Sequence, residues 1–535
     1  MRSTFLILLK KVKDIYGNYF FFNRDERKAL RNLKAMASAE KAQEKITVIV
    51  DGMIGMEIFS IYFMMLLISL KHHEKCGIRL VVITRNAHRR FLKANRIYQA
   101  LSDVTYVSFE DFLDERETSD AMRKYRDIVS GIRTGDDLLN VTIEGIQFGK
   151  NIYSDHIRKK LVGTIDEIDE SVKSSVYEGV RDWMVAHKVF EKYSPALLLL
   201  SHSEYNTFGS LFYASLKRNI PVAVTFPYSD WRIGGRVYVS LADFVDVPRN
   251  YAHAISDDTW KRLAKGYDAE AARVTEEYLA TRFAGNDDAL NGDYHKHTAR
   301  LDSCAIRKRL GVKESHKKVA LIAAHLLWDD ATASFHSLFR DYEIWIAETL
   351  KIIGHVHDVF WIVKAHPSEM HMGTNRRIAD IFHEIYGDHK PENVAFLDSD
   401  SGLNTYSLID ASDAVLTVRG TITLEAACKG KLVITAGTGP CSGFGFNTEF
   451  GSKDEYEDYL RRLGDRDDAL SDEQILKAKI ATYGYILYKR RFSPFMDGIR
   501  SLKDFGQVYA ENVWSDETLA RFARQLRGGV SGDML

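Results

Sequence analysis

The sequence predicts an α/β protein of two Rossmann-like, doubly wound domains facing a cleft, with additional helices. Three observations point there. Short, β-branched apolar runs end at glycine or polar residues and lead into helix-like runs. This strand–turn–helix–strand order recurs in three separate stretches, which calls for parallel sheets. In the most regular stretch, residues 318–435, five strands alternate with helices, the pattern of a doubly wound sheet.

In chain order, residues 45–50 form the first strand, ending at Asp51-Gly52 with Gly55 just beyond. A helix over 56–70 and strands over 78–84 and 104–109 follow. Residues 111–170 are polar and helical in character. The fully apolar run 196–200 is a buried strand that ends at Ser201-His202-Ser203-Glu204-Tyr205. A helix over 207–218 and a strand over 221–226 complete that unit. Residues 242–309 are polar and helical, a connector with peripheral helices. The second α/β region has strands at 319–324, 359–364, 394–397, 414–418 and 432–435. Its helices lie at 335–353, 376–386, 405–411 and 423–428, the last stopped by Gly430 at a C′ position. The tail from Lys453 is helical, and part of it is expected to pack back on the first domain. The domains so read are 1–245, a helical connector 246–310, 311–455, and C-terminal helices 456–535.

Composition narrows the function classes. Lys and Arg total 73 against 74 Asp and Glu, a formal net charge of −1. That balance argues against a general nucleic-acid binder. A hydrophobic fraction of 45% excludes a disordered chain. The four cysteines form no C-x-x-C pair, so neither a zinc site nor a disulfide framework is expected, and a reducing, cytosolic setting is. Residues 5–9 are apolar and precede Lys10, Lys11 and Lys13. The run is too short for a signal-peptide core and reads as a packed first helix. Its other reading is a basic amphipathic helix in peripheral contact with an anionic membrane. Residues 52–70 are nearly all apolar but contain Glu57 and follow a strand directly. They read as a buried loop and helix rather than a membrane span.

In open parallel sheets, ligands sit outside the carboxyl ends of the strands. Four motifs occupy such ends. In Thr417-Val-Arg-Gly-Thr-Ile-Thr-Leu-Glu425, a strand passes through a small-residue turn into a helix. Arg419, Gly420, Thr421 and Thr423 offer phosphate donors, and the Glu425 carboxylate can accept both hydroxyls of a ribose. A capped helix with a first-turn glutamate is the plainer explanation. Lys364-Ala365-His366-Pro367 places an imidazole at a turn held by proline, for phosphate donation or proton transfer. Ser201–Tyr205 makes Glu204 a candidate base. Asp51, at the end of the first strand, is another candidate, and the glycines beside it allow close approach of a ligand. His325 follows the first strand of the second domain, with Trp328-Asp329-Asp330 nearby. Gly437–Gly445 is a glycine-rich loop suited to covering a donor, without the Lys-Ser/Thr ending of a P-loop. His72-His73, His355 and His357 read as solvated. Tyr483, Tyr485 and Tyr488 with Lys489, Arg490 and Arg491 read as a packing face between domains. There is no clear D-x-D motif and no H-x-x-x-H spacing, so no metal is expected.

The K-x-H-P strand end, followed about 50 residues later by T-x-x-G-T-x-x-x-E-A with G-K-x-V-I behind it, resembles GT-B glycosyltransferases of bacterial surface polysaccharide assembly. It is most similar to capsule polysaccharide biosynthesis proteins of the Kdo-transferase-like group. The glycerophosphotransferases of teichoic acid synthesis share the outline. The likeness is strongest over 359–435 and weaker over 196–222. It implies a nucleotide-sugar donor, often a CMP-linked acidic sugar, on the second domain. His366 and the Arg419–Thr423 turn would then contact the donor phosphate and Glu425 the ribose, with Lys364 and His325 also among the donor-binding residues. The acceptor, a glycan or lipid-linked glycoconjugate, would lie on the first domain, with Asp51, Glu204 and His366 as catalytic candidates. Arg419-Gly420 departs from the family, which has a small polar residue before the threonine. A nucleotide-sugar epimerase, a teichoic-acid-like glycerophosphotransferase and a non-catalytic assembly scaffold are the other readings. The expected setting is cytoplasmic, at the inner face of the membrane.

Overall fold

In the computed structural model the described residues are 22–38, 44–112, 115–227, 232–245, 247, 249–252, 254–284, 298, 300–333, 336–488, 491–492, 501–503, 505 and 513–534. The helix expected near residues 1–13 lies outside them, as do Lys489 and Arg490. The chain folds as two compact units built from separated stretches. One comprises the described residues within 1–127, 177–247 and 489–535, the other those within 128–176 and 248–488.

The first unit holds β1 (Glu44–Asp51), β2 (Cys76–Thr84), β3 (Val104–Ser108), β4 (Leu197–Leu200), β5 (Val222–Pro227) and β6 (Arg232–Tyr238). Their order is β6-β5-β4-β1-β2-β3. All pairs are parallel except β5 with β6. The chain therefore lays β1, β2 and β3 outward in one direction, then returns to place β4 on the other side of β1. That reversal opens a crevice at the carboxyl ends of β1 and β4. Arg491–Phe492 and Gly532–Asp533 add short antiparallel pairings to β6. β6 has no counterpart in the sequence reading. A Cβ on Gly235 would meet Val224 O at 2.7 Å and Met534 Sδ at 2.9 Å, so glycine is required there. The buried Arg236, paired with Asp533 at 2.8 Å, further hides the strand signal.

The apolar run after β1 is the helix Glu57–His73, in which every residue from Ser60 to Leu70 is buried. Leu519, Phe522, Ala523 and Leu526 of the C-terminal helix Glu517–Arg527 share its core. Burial on all sides, rather than lipid, explains the lack of a polar face. Among the described residues no helix is long and apolar enough to cross a membrane. Glu57 accepts the Leu502 N–H at 3.0 Å. His72 and His73 are half-buried rather than solvated, because His72 stacks on Trp514 with centroids 4.9 Å apart. His355 and His357 are exposed.

The second unit holds β7 (Lys318–Ala323), β8 (Val359–Lys364), β9 (Val394–Leu397), β10 (Ala414–Thr417) and β11 (Leu432–Thr435), all parallel, in the order β11-β10-β7-β8-β9. The reversal here lies between β7 and β10. The helix expected over 335–353 begins only at Tyr342, because Asp341 caps it by accepting the Ile344 N–H at 2.9 Å. The same carboxylate accepts the Tyr153 hydroxyl at 2.6 Å, and Ser154 bonds Thr332 at 2.8 Å. These contacts tie residues 128–176 to this unit. Tyr485 is buried in the core of the second unit, with Tyr483 packed against it.

Phe522 is fully buried. Phe522→Ala should destabilise the first unit by about 3–5 kcal/mol, read as a lower urea midpoint. An unchanged midpoint would show that the C-terminal helix is not part of that core.

Candidate functional site

Cavity-lining groups in the second unit come from the residues where its buried strands end. β7 leads into Ala324-His325, β8 ends at Lys364 and leads into His366-Pro367, and β10 leads into Arg419-Gly420-Thr421. Together with Arg282, Thr405, Tyr406 and Glu425 these residues line a cavity of about 220 Å³. Seven residues picked out from the sequence thus meet in one place: His325, Lys364, His366, Arg419, Gly420, Thr421 and Glu425. Thr423 does not line the cavity. It is buried, and its hydroxyl donates to Gly420 O at 2.7 Å, holding the turn closed. Gly420 sits at φ +122°, a conformation that glycine tolerates, and a Cβ there would meet nothing within 4 Å.

Two histidines in the cavity are held neutral. The His366 Nδ1 accepts the Ser368 N–H at 3.1 Å, which leaves the ring proton on Nε2. Burial pushes its pKa down to about 4, outweighing the Asp329 carboxylate, and the Lys364 charge acts in the same direction as burial. The His325 Nε2 accepts the Arg419 backbone N–H at 3.4 Å and lies 3.0 Å from the Thr417 hydroxyl. Its ring stacks on Tyr342 with centroids 4.2 Å apart. Burial, then the charges of Arg419 and His366, hold it well below the usual histidine range. Lys364 donates to Ala365 O at 3.3 Å and Asp398 O at 3.0 Å. Burial lowers its pKa against the pull of Asp398, Glu369 and Asp400.

The charged side chains arrive already paired. Arg419 donates through Nε to the Tyr342 hydroxyl at 2.9 Å and through Nη2 to Asp330 at 3.0 Å. The arginine at this position thus has its own counter-ion. Arg282 donates to Glu425 Oε1 at 2.6 Å, with both side chains largely shielded from solvent. Burial lowers the Arg282 pKa, but Glu425, Tyr278 and Tyr406 more than reverse this, and the net shift is upward. Sequence reasoning missed Arg282. It lies at the end of the helix Ala269–Phe283, where a basic residue is ordinary, and its partner is 143 positions away.

The glycine-rich stretch Gly437–Gly445 does not line this cavity. Ile255 N–H donates to Pro440 O at 3.1 Å, and Phe444 stacks on Trp260 at 4.1 Å, so the loop is packed into the unit. Among the described residues no group of three His, Cys, Asp or Glu side chains is placed to hold a metal ion.

Asp51 and Glu204 belong to the first unit and lie at the carboxyl ends of β1 and β4. Asp51 is buried, and its Oδ2 accepts both the Ser201 N–H at 2.7 Å and the Ser201 hydroxyl at 2.6 Å. Burial raises its pKa against these bonds. Glu204 is also buried and accepts the Ser203 N–H at 2.8 Å. The glycine after Asp51 serves packing rather than ligand approach. A Cβ on Gly52 would meet Asn95 Oδ1 at 2.7 Å and Val82 Cγ1 at 2.8 Å, and Asn95 Nδ2 donates to Gly52 O at 2.8 Å.

Residues 290–489 match the family described as capsule polysaccharide biosynthesis protein. No curated protein matches the chain significantly. Among solved structures the chain is similar to KpsC of Thermosulfurimonas dismutans, a beta Kdo 2,7 transferase, at 14% identity over 55% of this chain and 79% of that one, TM-score 0.31. It is similar to UDP-GlcNAc 2-epimerase of Neisseria meningitidis bound to UDP-GlcNAc, at 12% identity over 83% and 96%, TM-score 0.26. It is also similar to the wall teichoic acid polymerase TagF, at 13% identity over 96% and 98%, TM-score 0.22. The K-x-H-P and T-x-x-G-T strand ends both fall inside the matched segment, residues 290–489.

Proposed function

We propose that the chain is a glycosyltransferase that moves a sugar from a nucleotide-activated donor, of the CMP-linked acidic sugar class, to a surface glycan or lipid-linked acceptor. One observation carries this reading. A single cavity gathers a carboxylate and several hydrogen-bond donors at the strand ends where an α/β sheet binds its ligand. Arg282 occupies Glu425 Oε1, and Oε2 is the oxygen assigned to a ribose hydroxyl. His366 Nε2–H, Lys364 and the Thr421 hydroxyl are assigned to the phosphate.

Glycosyl transfer needs the charge on the departing phosphate stabilised and the acceptor hydroxyl deprotonated. Neutral His366 can donate to the phosphate without losing a proton, while Lys364 and Arg282 supply positive charge. In this reading no metal or other cofactor is used, because side-chain donors take the leaving group. The acceptor and its base are assigned to the first unit. The proposed setting is cytoplasmic, at the inner face of the membrane. Product analysis separates the alternatives. Free nucleotide with an extended glycan identifies transfer, and an isomerised nucleotide sugar identifies epimerisation. Released glycerophosphate polymer identifies a phosphotransferase, and an unchanged donor under all conditions identifies a scaffold.

Two outcomes are expected. Glu425→Gln should weaken CMP binding at least tenfold by titration calorimetry, about 1.4 kcal/mol, and Glu425→Ala more, since it also leaves Arg282 without its counter-ion. Unchanged affinity of both variants for CMP and UDP would sink the donor-site assignment. The second concerns pH. The His366 pKa falls from 6.5 unfolded to about 4 folded, so between those values the unfolded chain binds a proton that the folded one does not. Stability from this group is full above pH 6.5 and is lost as pH falls through 6.5 toward 4. His366→Gln should therefore flatten the fall of the urea midpoint across that window, and an identical slope in both proteins would show that His366 is not held neutral by the fold.

A further inference from the structure

We propose that His202 is the catalytic base that takes the acceptor proton, with Ser201 and Asp51 as positioning residues behind it; this rests on the transfer reading above. The three residues form a hydrogen-bonded chain at the carboxyl ends of β4 and β1. Ser201 donates its hydroxyl proton to Asp51 Oδ2 at 2.6 Å. A hydroxyl has one proton, so toward His202 Nδ1, 3.0 Å away, Ser201 Oγ can only accept. The imidazole proton therefore sits on Nδ1, and Nε2 becomes the ring's accepting nitrogen. The backbone strengthens the arrangement, because the Ser201 N–H also binds Asp51 Oδ2 at 2.7 Å.

Exposure separates the three acid–base candidates of the first unit. Asp51 is 5% exposed and Glu204 is 7% exposed. Asp51 Oδ2 is filled by Ser201, and Oδ1 accepts the Met53 N–H at 3.4 Å. Glu204 turns back on its neighbour, accepting the Ser203 N–H at 2.8 Å and hydroxyl at 3.3 Å. His202 is half-buried and stands among the rings of Phe208, Tyr205 and Phe59, at 5.3, 5.9 and 6.4 Å between centroids. Aromatic faces suit the C–H surface of a pyranose ring, and a base set among them meets a sugar hydroxyl rather than a bulk anion. The hydroxyl lies between imidazole and carboxylate, so Ser201 is not a nucleophile. Its part is to pass the field of the buried Asp51 to the ring. The charges named by these contacts are Asp51, reached through Ser201, and Glu204, which faces Ser203.

In the reaction, Nε2 takes the proton as the acceptor O–H bond breaks. The acceptor oxygen bonds to the anomeric carbon. The bond from that carbon to the phosphate oxygen breaks, and its electron pair leaves with the nucleotide. His202 ends as an imidazolium facing a carboxylate through one hydroxyl, and later returns its proton to water. Asp51 stabilises that cation without itself accepting the proton.

The test uses the full chain in two arms. In the first, diethyl pyrocarbonate modification of His202 is followed by peptide mass spectrometry as a function of pH, with the exposed His355 as internal reference. Ser201→Ala and Asp51→Asn should each move the His202 midpoint down, on the order of one pH unit, and leave His355 unmoved. Circular dichroism checks that both variants fold. An unmoved His202 midpoint in both folded variants overturns the proposal. In the second arm, His202→Gln should lower transfer at least 100-fold while CMP affinity stays within twofold of the parent. Transfer within threefold of the parent also overturns the proposal. Failure of the parent to bind CMP would count against the donor assignment alone. The modification arm needs no donor and decides the relay either way.

Discussion

A parallel sheet covered on both faces leaves its strands no polar positions until they end. β4 and β8 are buried along their whole length, and the first polar groups after them are Ser201 and the Lys364–His366 corner. The reversal of strand order, at β1/β4 in one unit and β7/β10 in the other, keeps those ends from being covered by a crossing connection. Everything chemical in this protein hangs on that constraint. The cavity of the second unit and the Asp51–Ser201–His202 chain of the first are the same topological position used twice.

The charged groups at these rims are paired before any ligand arrives. Arg282 with Glu425 and Arg419 with Asp330 are mostly shielded from solvent. Pairs of this kind add little net stability, because desolvation offsets the attraction, but removing one partner is costly. Their value lies in geometry. Each fixes a long side chain in one place. Neutral histidines complement this, since a donor that carries no charge can be buried without a counter-ion.

Neither unit is a continuous stretch of chain. Residues 128–176 are held to the second unit by the Tyr153–Asp341 and Ser154–Thr332 bonds, and the C-terminal helix fills the core beside the helix Glu57–His73 in the first. Their helical character was legible, but the surfaces they cover depend on partners hundreds of positions away.

The sequence by itself determined the order of strands and helices, because burial imposes apolar runs of strand length and glycines mark their ends. The five strands of the second unit were legible almost to the residue for that reason. So was the grouping of the strand-end motifs, since parallel topology sends every such end to one edge. β6 was not, because its glycines and buried arginine answer to neighbours remote in the chain. Only the tertiary structure decided which polar groups are engaged. It brought Arg282 onto Glu425, turned Thr423 into a turn brace, packed Gly437–Gly445 onto Trp260 and Ile255, and placed His202 at the outer end of a relay from Asp51. Hydrogen bonds of this kind depend on distance and direction in space, and local sequence carries neither.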